Sequence, residues 1–370
     1  CTGRLSTSNY ERTKRIMAYT TINNGSLFMN TKLYTGNNSN NHSITGVGFA
    51  PDMVWQKRRD GNNSAVLFDK VRGATKYVHP DGNSAEITSN AGQDTISLDS
   101  DGFTVGVSTQ AGGINQGSCV SWNWKANGAG SANTAGSINS TVSVNTTSGF
   151  SIVKYTGNAT VSTIGHGLGV APKMIITKNL SRSDAWPVDC RQGNSGAGGI
   201  MYLNETGTLG AYGNTSPYPS TAPTSTVYSV GTAGNTNYSG SDLIAYCFAE
   251  KTGFSKFGQY SGNSSNDGTF VYTGFKPALI IFKRADTGTG NWVMQDNKRS
   301  SSGGFNQNQY TLYSNTSSDE ITDESAVDFL SNGFKFRNAI TDNNANGSKY
   351  IYMAFGQSLV GTNNIPNNAF

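Results

Sequence analysis

Short apolar runs between turn residues predict buried strands along this chain. Three of the runs are alike, because each closely follows a proline and ends at a lysine: Met53-Val54-Trp55, Met174-Ile175-Ile176 and Leu279-Ile280-Ile281-Phe282. An uninterrupted apolar run of this length is typical of a strand buried on both faces. We expect the lysines that follow, Lys57, Lys178 and Lys283, to mark the points where the strands reach the surface.

Two further patterns predict strands in the same order after each run. Asp101-Gly102 and Asn332-Gly333 precede alternating apolar and polar positions, which is a strong hairpin signal, whereas Val227 to Val230 keeps only the alternation. An aromatic strand then closes each series, at Cys119 to Lys125, Leu243 to Phe248 and Tyr350 to Phe355. The turn from Asp99 to Gly102 lacks the downstream ligands of a calcium loop, so a simple turn is the better interpretation.

The spacing of these patterns predicts an internal repeat. Three similar strings are each followed 17 positions later by a proline (Pro51, Pro172, Pro277): Tyr34-Thr35-Gly36-Asn37, Tyr155-Thr156-Gly157-Asn158 and Tyr260-Ser261-Gly262-Asn263. A glycine stands three residues before each proline and a lysine six residues after it. The sequence therefore predicts an all-β fold of three tandem β-sandwich, jelly-roll-like repeats of about 100 residues each.

The predicted domain boundaries follow from this repeat. Repeat 1 spans residues 28–128, repeat 2 spans 149–252 and repeat 3 spans 253–358. Residues 129–148 are rich in Gly, Ser, Asn and Thr, which is typical of a flexible linker, whereas almost nothing separates repeats 2 and 3. Residues 1–27 form an N-terminal extension, and residues 359–370 form a C-terminal tail.

Two interpretations of the first residues stay open. Cys1 suits the lipid-bearing residue of a processed lipoprotein; alternatively, Met17 is the true start and residues 1–16 are a translated leader, which we favour. Residues 1–16 lack the apolar region of a secretory signal. The segment Met17 to Ile22 is also compatible with an assembly arm that donates a strand to a neighbour.

Composition favours strands and a genuine core. Gly reaches 45 residues and supplies turns, and aromatic residues reach 11%, whereas disordered chains are depleted in aromatics. The formal charge is +4, of which Arg4, Arg12, Lys14 and Arg15 against Glu11 supply +3, so we predict no nucleic-acid binding. No apolar stretch approaches the roughly 18 residues of a membrane helix, so we predict no membrane insertion.

Residue types that carry chemistry give weak signals. Cys1, Cys119, Cys190 and Cys247 lack C-x-x-C spacing, so neither a zinc site nor a redox pair is predicted, and we expect Cys119 and Cys247 to be buried in strands. The histidines His42, His79 and His166 fit no metal or catalytic motif, and we expect them in surface loops. Gly193-Asn194-Ser195-Gly196 does not match a nucleophile elbow.

Three acid-base pairs and one long loop are the remaining candidates. Short runs end in Asp69, Asp189 and Asp296, with basic residues nearby at Lys70 and Arg72, at Arg191, and at Lys298 and Arg299. These pairs suit a reactive site or, as we favour, a salt bridge or capped turn. Paired carboxylates for glycoside hydrolysis stay open.

The loop from Gly210 to Thr224, with Tyr212, Pro217, Tyr218 and Pro219, suits sugar binding or, as we favour, an ordinary solvated insertion. We predict no catalytic, cofactor-binding or metal-binding residue and no enzyme activity.

Several of the repeated strings resemble a known family. They are Leu33 to Asn37, Gly48 to Pro51, Val71 to Tyr77, Asp99 to Phe103, Ser121 to Lys125, Ala245 to Glu250 and Tyr350 to Phe355. They are similar to a repeat-containing family of tail fibre and virion structural proteins from marine and freshwater phages, notably phages of cyanobacteria. The similarity runs from about Thr31 to Gln357 and carries over no catalytic or ligand residue.

The resemblance and the repeats together imply a function. We expect a non-enzymatic virion protein, a tail fibre or receptor-binding adhesin that forms homo-oligomers, contacts other virion proteins and binds host surface glycans outside the cell. Two alternatives stay open: a capsid-decoration or filament-forming subunit, and, more weakly, a depolymerase that cuts surface polysaccharide.

Overall fold

Antiparallel strands dominate the computed structural model, which describes residues 18–90, 92–107, 111–191, 199–287, 290–299, 306–322 and 326–361. A short 3-10 helix, Gly25–Leu27, precedes the first strand. The first nine strands are β1 (Met29–Thr35), β2 (His42–Thr45), β3 (Met53–Arg58), β4 (Val66–Asp69), β5 (Lys76–Val78), β6 (Ile87–Thr88), β7 (Thr95–Asp99), β8 (Gly102–Val105) and β9 (Ser118–Trp124).

The next nine strands are β10 (Ser131–Asn133), β11 (Ser140–Asn145), β12 (Phe150–Thr156), β13 (Ser162–Gly165), β14 (Met174–Asn179), β15 (Pro187–Asp189), β16 (Ile200–Tyr202), β17 (Val227–Val230) and β18 (Asp242–Phe248), with helix α1 (Gly234–Asn237) before β18. The last nine are β19 (Ser255–Ser261), β20 (Phe270–Tyr272), β21 (Lys276–Arg284), β22 (Trp292–Asp296), β23 (Gln307–Asn308), β24 (Leu312–Tyr313), β25 (Val327–Leu330), β26 (Gly333–Phe336) and β27 (Lys349–Gln357), with helix α2 (Thr341–Asn344) before β27. None of the described helices is long and apolar enough to cross a membrane.

The strands form three two-sheet sandwiches, each with its own hydrophobic core. Sandwich 1 packs the sheet β1-β9-β3-β4-β5-β6 on β2-β8-β7. Sandwich 2 packs β10-β11-β12-β18-β14-β15-β16 on β13-β17, and sandwich 3 packs β19-β27-β21-β22-β24 on β20-β26-β25-β23. The predicted all-β class is confirmed.

Equivalent strands pair in the same way in the three sandwiches. The run after each proline pairs with the aromatic closing strand, through Met53 with Trp124, Met174 with Phe248, and Leu279 with Phe355. Each closing strand has a partner on both edges, which explains its continuous burial. The division into three tandem repeats stays a prediction. Three equivalent repeats would show the same strand pairing in each sandwich, as these three do.

Two of the recurring sequence signals have a direct structural cause. The hydroxyls of Tyr34, Tyr155 and Tyr260 donate hydrogen bonds to the carbonyls of Ile114, Thr236 and Asn343, at 2.7, 2.6 and 2.8 Å. The glycine before each proline, at Gly48, Gly169 and Gly274, has a positive φ of 91°, 73° and 85°, a region that residues with a Cβ rarely adopt.

Both predicted hairpins are present. Strands β7 and β8 turn between Asp99 and Gly102, and β25 and β26 turn between Leu330 and Gly333. The Asp101 carboxylate accepts hydrogen bonds from the N–H groups of Gly46 and Gly48, at 3.0 and 2.6 Å. These two bonds lower the pKa of Asp101, and the residue serves the turn as expected.

A fourth hydrophobic core, the central core, joins the three sandwiches. Trp124, Phe248 and Phe355 meet there with ring centroids 5.8 to 6.4 Å apart. Around it, each sandwich contacts the other two through the outer side of its larger sheet. Burial of all three large sheets in one core makes the sandwiches a single packed body.

The three lysines correct the prediction that they mark where the strands surface, because all three are fully buried. Each ammonium group donates to a carbonyl of a different sandwich: Lys57 to Thr316 at 2.8 Å, Lys178 to Asn83 at 2.8 Å and Lys283 to Thr206 at 3.0 Å. A carbonyl of the same sandwich accepts a further hydrogen bond from each ammonium group, such as that of Asp184 from Lys178 at 2.6 Å. Burial lowers the pKa of each lysine to about 8.

Tryptophan side chains add to two of these contacts between sandwiches. Trp186 donates to the carbonyls of His79 and Gly82, both at 3.0 Å, and Trp292 donates to the carbonyl of Tyr202 at 2.9 Å. Since sandwich 2 thus contacts sandwich 1, sandwich 3 contacts sandwich 2, and Lys57 links sandwich 1 to sandwich 3, the three close into a ring.

The predicted flexible linker at residues 129–148 was wrong. Strands β10 and β11 lie in this segment and form a hairpin, and β11 pairs with β12 from Asn145 opposite Phe150 to Ser140 opposite Tyr155. The small polar composition concealed an alternating strand in which Val142 is buried in the core of sandwich 2.

The described part of the N-terminal extension, from residue 18 onward, packs against the rest of the chain. Ile22 is buried in the central core, Thr20 donates to the Thr252 carbonyl at 2.7 Å and Tyr19 donates to the Gly274 carbonyl at 3.0 Å. Met17, which begins the expected assembly arm, lies outside the described residues, as do Cys1 and residues 362–370 of the expected C-terminal tail. Cys119 and Cys247 are buried in strands as predicted, and Cys190 is buried too.

Candidate functional site

The first and third acid-base pairs are buried ion pairs, each formed within one sandwich where it contacts another, as the salt-bridge interpretation predicts. Arg72 contacts Asp69 at 2.5 Å and Arg299 contacts Asp296 at 2.6 Å, and all four side chains are fully buried. A ring from another sandwich completes each pair, because the Tyr246 hydroxyl donates to Asp69 at 2.8 Å and the Trp122 indole N–H to Asp296 at 2.9 Å. Both carboxylates are therefore engaged in contacts within and between the sandwiches.

The second pair differs because its aspartate is shifted by one position along the strand. Asp69 pairs with Met53 and Asp296 with Leu279, whereas Asp189 pairs with Ile175, one residue beyond the equivalent Met174. Since side chains alternate along a strand, Asp189 faces the core of sandwich 2 and Cys190 takes the place in the central core. Asp189 binds Arg191 at 3.0 Å and the Tyr212 hydroxyl at 2.8 Å, and burial raises its pKa.

The long loop from Gly210 to Thr224 is packed against sandwich 2 and does not offer its rings as a sugar surface. Tyr218 is fully buried, and its hydroxyl lies 2.8 Å from that of Thr177. The Tyr212 ring is covered by the Arg191 guanidinium group at 4.1 Å. The sugar-binding interpretation of Tyr218 was therefore wrong.

The histidines have structural contacts. His166 is fully buried, which corrects the expected surface position, and its Nε2 faces the Thr224 carbonyl at 3.2 Å while Nδ1 accepts from the Leu168 N–H. Burial lowers the pKa of His166. His42 contacts Asn115 at 2.8 Å and His79 contacts the Ala65 carbonyl at 2.9 Å. Within the described ranges, no three His, Cys, Asp or Glu residues cluster as metal ligands would.

Exposed aromatic rings form one distinct surface, the aromatic face, which consists of Tyr19, Phe270 and Tyr272. Phe270 and Tyr272 point outward from the edge strand β20, with 41% and 59% of their surface exposed, while Val271 between them is buried. Tyr19 is 41% exposed, and both its hydroxyl and that of Tyr272 lie beside Gly274. The Phe270 ring lies over Gly333, where a Cβ would come within 3.0 Å of it.

The equivalent strands of the other sandwiches carry no rings at these positions. Matching Gly102 to Gly333 in the hairpins places Ser43 and Thr45 of β2 where sandwich 3 has Phe270 and Tyr272. On β13 of sandwich 2, the exposed side of the strand carries Thr163. Because the same fold forms without aromatic rings at these positions in sandwiches 1 and 2, the exposed rings of Phe270 and Tyr272 are a specific feature of sandwich 3.

Charged side chains border the aromatic face. Lys335 stands opposite Phe270 on β26 and contacts Asp267 at 2.6 Å, while Arg337 contacts Asp328 at 2.5 Å. Flat rings flanked by exposed donors and acceptors can stack on the apolar face of a sugar and hydrogen-bond its hydroxyls. The repeated strings do not mark this surface, although the alternation of Phe270, Val271 and Tyr272 in the sequence is typical of a strand with two outward rings.

A cleft of about 370 Å³ lies between sandwiches 1 and 3. Met29 and Asn30 at the start of β1 form one wall, and Pro277, Ala278 and Lys298 belong to the other. Its charged lining residues are Lys276 and Lys298, and no carboxylate lines it among the residues described. Residues from four separate parts of the chain form this cleft, so no local sequence signal marks it.

Comparison with known proteins places the chain in a family without assigning it an activity. A family model described as a domain of unknown function, DUF7483, matches residues 24–358, and the chain therefore belongs to that family. No curated protein matches the chain. No solved structure matches it either.

Proposed function

Starting from this family membership, we propose that the chain is a non-enzymatic structural protein of a phage virion, a tail fibre or receptor-binding adhesin that contacts host surface glycans outside the cell. The phage assignment rests on the resemblance of the repeated strings to virion proteins. The adhesive role rests on one observation, the aromatic face of sandwich 3, whose two exposed rings replace Ser43 and Thr45 of sandwich 1.

The rigidity of the fold supports a presenting role. The central core and the buried lysines hold the three sandwiches together, so the aromatic face is carried on a preorganised support. Rigid presentation lowers the entropic cost of binding, since few side chains and no loops must be ordered. Homo-oligomers would multiply weak sugar contacts through avidity.

Binding to host cells and to purified envelope polysaccharide tests the adhesive role. We expect Phe270→Ser combined with Tyr272→Thr, which installs the residues of sandwich 1, to weaken binding about tenfold, because each aromatic stack contributes about 0.5–1.5 kcal/mol. The matched control is Ser43→Ala with Thr45→Ala on sandwich 1, which should leave binding unchanged. Equal binding by both double variants and the parent protein would reject the aromatic face as the contact.

A capsid-decoration or filament-forming subunit is the second candidate, and it is favoured by the position of β1 at the end of its sheet, where β9 is its one partner among the described strands. Electron microscopy of the purified protein separates the two, because ordered filaments or lattices without any polysaccharide binding would favour the assembly role. Shortened polysaccharide chains after incubation with the protein would instead point to a depolymerase.

A further inference from the structure

The three rings of the aromatic face form a row along the edge of sandwich 3. Phe270 and Tyr272 lie two residues apart on β20, so their side chains point to the same side of the sheet. The Tyr19 hydroxyl donates to the carbonyl of Gly274, two positions further along the chain, at 3.0 Å. Since a strand rises about 3.3 Å per residue, the row from residue 270 to residue 274 is at most about 13 Å long. That length exceeds a single sugar ring.

Contacts within the protein support the rings before a ligand binds. The Phe270 ring bends over β26, because its Cε2 and Cζ atoms lie 2.9 and 3.0 Å from the position that a Cβ of Gly333 would take. The sheet thus covers one side of this ring, while 41% of the side chain stays exposed. Partial burial and a hydrogen bond with the Tyr272 hydroxyl raise the pKa of Tyr19, so the two hydroxyls are neighbours. Supported rings lose little freedom on binding, which favours affinity.

The charged residues that border the row balance one another. Lys335 contacts Asp267 at 2.6 Å, and Arg337 contacts Asp328 at 2.5 Å and Asp267 at 3.6 Å. The hydrogen bond from Lys335 lowers the pKa of Asp267, which keeps this carboxylate ionised at neutral pH. Two cations therefore stand beside two carboxylates, and this border favours neither an anionic nor a cationic ligand.

The exposed area of the rings fits a slender ligand better than a second protein. Phe and Tyr side chains have about 150–250 Å² of surface each, so exposed fractions of 41%, 41% and 59% amount to about 200–350 Å² in total. A stable protein–protein complex buries about 800 Å² on each partner. The row of rings supplies less than half of that area.

We propose that the aromatic face binds an extended stretch of a neutral, unbranched glycan whose sugar rings are joined through equatorial bonds, as in β-1,4-linked glucose. This inference rests on the proposed adhesive function and narrows its ligand class. Equatorially linked chains are flat ribbons, so consecutive C–H faces can stack on consecutive aromatic rings. The hydroxyls along the ribbon can bond to the hydroxyls of Tyr19 and Tyr272 and to the Asp267 carboxylate.

A series of chain lengths tests whether the rings act as a row. Glucose and its β-1,4-linked oligomers up to cellohexaose are titrated into the full-length protein and followed by ligand-detected NMR. We expect the affinity to rise about threefold to tenfold for each sugar that reaches a further ring and to level off at about three sugars. Tyr19→Ala should remove the last of these steps. Tyr238→Ala is the matched control, since it removes a 46% exposed ring on sandwich 2 and should leave every step unchanged.

Two further ligands test the linkage and the charge. Maltohexaose has the same sugar with an axial bond at each linkage, so it cannot lie flat on the row and should bind about tenfold more weakly than cellohexaose. The β-1,4-linked hexamer of mannuronate keeps the flat shape but is anionic, and the balanced border should give it no advantage. For the same reason, the affinity for cellohexaose should be equal at low and high salt.

Four results would overturn the proposal. They are an absence of binding by all glucose oligomers, equal affinity for glucose and cellohexaose, tighter binding of maltohexaose or mannuronate than of cellohexaose, and a dimer in sedimentation that Phe270→Ser with Tyr272→Thr abolishes. The last result would identify a second copy of the chain as the occupant. The adhesive function is tested separately, because binding to host polysaccharide that this double variant weakens would support it even where every glucose oligomer fails to bind.

Discussion

Replacing Phe248 with alanine should test whether the three sandwiches are one cooperative body. Phe248 is 2% exposed at the centre of the central core. Its ring stacks on Phe150 at 4.9 Å and lies 5.8 to 6.4 Å from Trp124, Phe257 and Phe355, so it contacts all three sandwiches.

The expected cost follows from this packing. A buried Phe→Ala substitution destabilises a protein by about 3–5 kcal/mol. Four aromatic partners, each contributing about 0.5–1.5 kcal/mol beyond area burial, place Phe248→Ala in the upper half of that range. The exposed Phe270 has no comparable contacts within a core, so Phe270→Ala should change the free energy of unfolding by less than about 0.5 kcal/mol.

Urea titration monitored by tryptophan fluorescence and by far-ultraviolet circular dichroism gives the assay. Each sandwich contributes at least one buried tryptophan, Trp124, Trp186 and Trp292 among them, so fluorescence is sensitive to the unfolding of any of the three. We expect one coincident transition for the parent protein and a lower midpoint for Phe248→Ala with both probes. Separate transitions in the parent protein, or a loss below about 1 kcal/mol in the variant, would refute a shared core.

Three further predictions address the buried polar groups and the turns. Burial lowers the pKa of Lys57, Lys178 and Lys283 from 10.5 to about 8, so the folded chain releases these protons before the unfolded chain does, and the lysines contribute a rise in the free energy of unfolding from pH 8 to 9.5. Burial raises the pKa of the three buried cysteines and acts in the opposite direction, so the test is the difference between proteins: Lys178→Met should make the slope of the free energy of unfolding against pH less positive than in the parent protein, and equal slopes in urea titrations would contradict this. Tyr246→Phe leaves Asp69 short of a donor and should cost about 1–3 kcal/mol by thermal denaturation, whereas Tyr238→Phe at an exposed ring should cost almost nothing. The new methyl group of Gly169→Ala would meet no atom within 4 Å, but alanine would have to adopt a φ of 73°, so the free energy of unfolding should fall by about 1–2 kcal/mol. The control Gly207→Ala has equal space and no positive φ, and it should leave the stability unchanged in the same thermal denaturation experiment.

The sequence predicted those parts of the fold that depend on local patterns. Strand order, the hairpins at Asp101-Gly102 and Asn332-Gly333, and the buried closing strands all follow from alternation and turn chemistry within a few residues. The spacing of the strings also indicated which strands are equivalent, because the tyrosine hydroxyl bonds recur at the same point of each sandwich.

Features that depend on contacts between sandwiches were not predictable in this way. A lysine after a strand normally surfaces, and Lys178 is buried only because carbonyls of Asn83 and Asp184 converge on it. The small polar residues of β11 are typical of a linker, and only the packing of Val142 in the core of sandwich 2 distinguishes this segment as a strand. The cleft brings together residues from both ends of the chain, and only the folded arrangement of sandwiches 1 and 3 creates it.

The shifted Asp189 permits a sharper test of how the sandwiches recognise one another. In the central core, Cys190 stands where the other sandwiches have Asp69 and Asp296. The residue that would face it is Met353, which corresponds to the donors Trp122 and Tyr246 and has no hydrogen to donate. Acid and donor are therefore absent together at this one junction.

Restoring both groups should show that they act as a pair. Cys190→Asp alone buries a carboxylate without a donor and should cost about 3 kcal/mol or more, and Met353→Tyr alone buries an unpaired hydroxyl at about 1–3 kcal/mol. In the double variant the hydroxyl can donate to the carboxylate, so the combined loss should fall short of the sum by about 1–3 kcal/mol in a double-mutant cycle from urea titrations. Additive losses would mean that positions 190 and 353 do not meet as Asp69 and Tyr246 do, and that the ring of sandwiches is less regular than its strand pairings indicate.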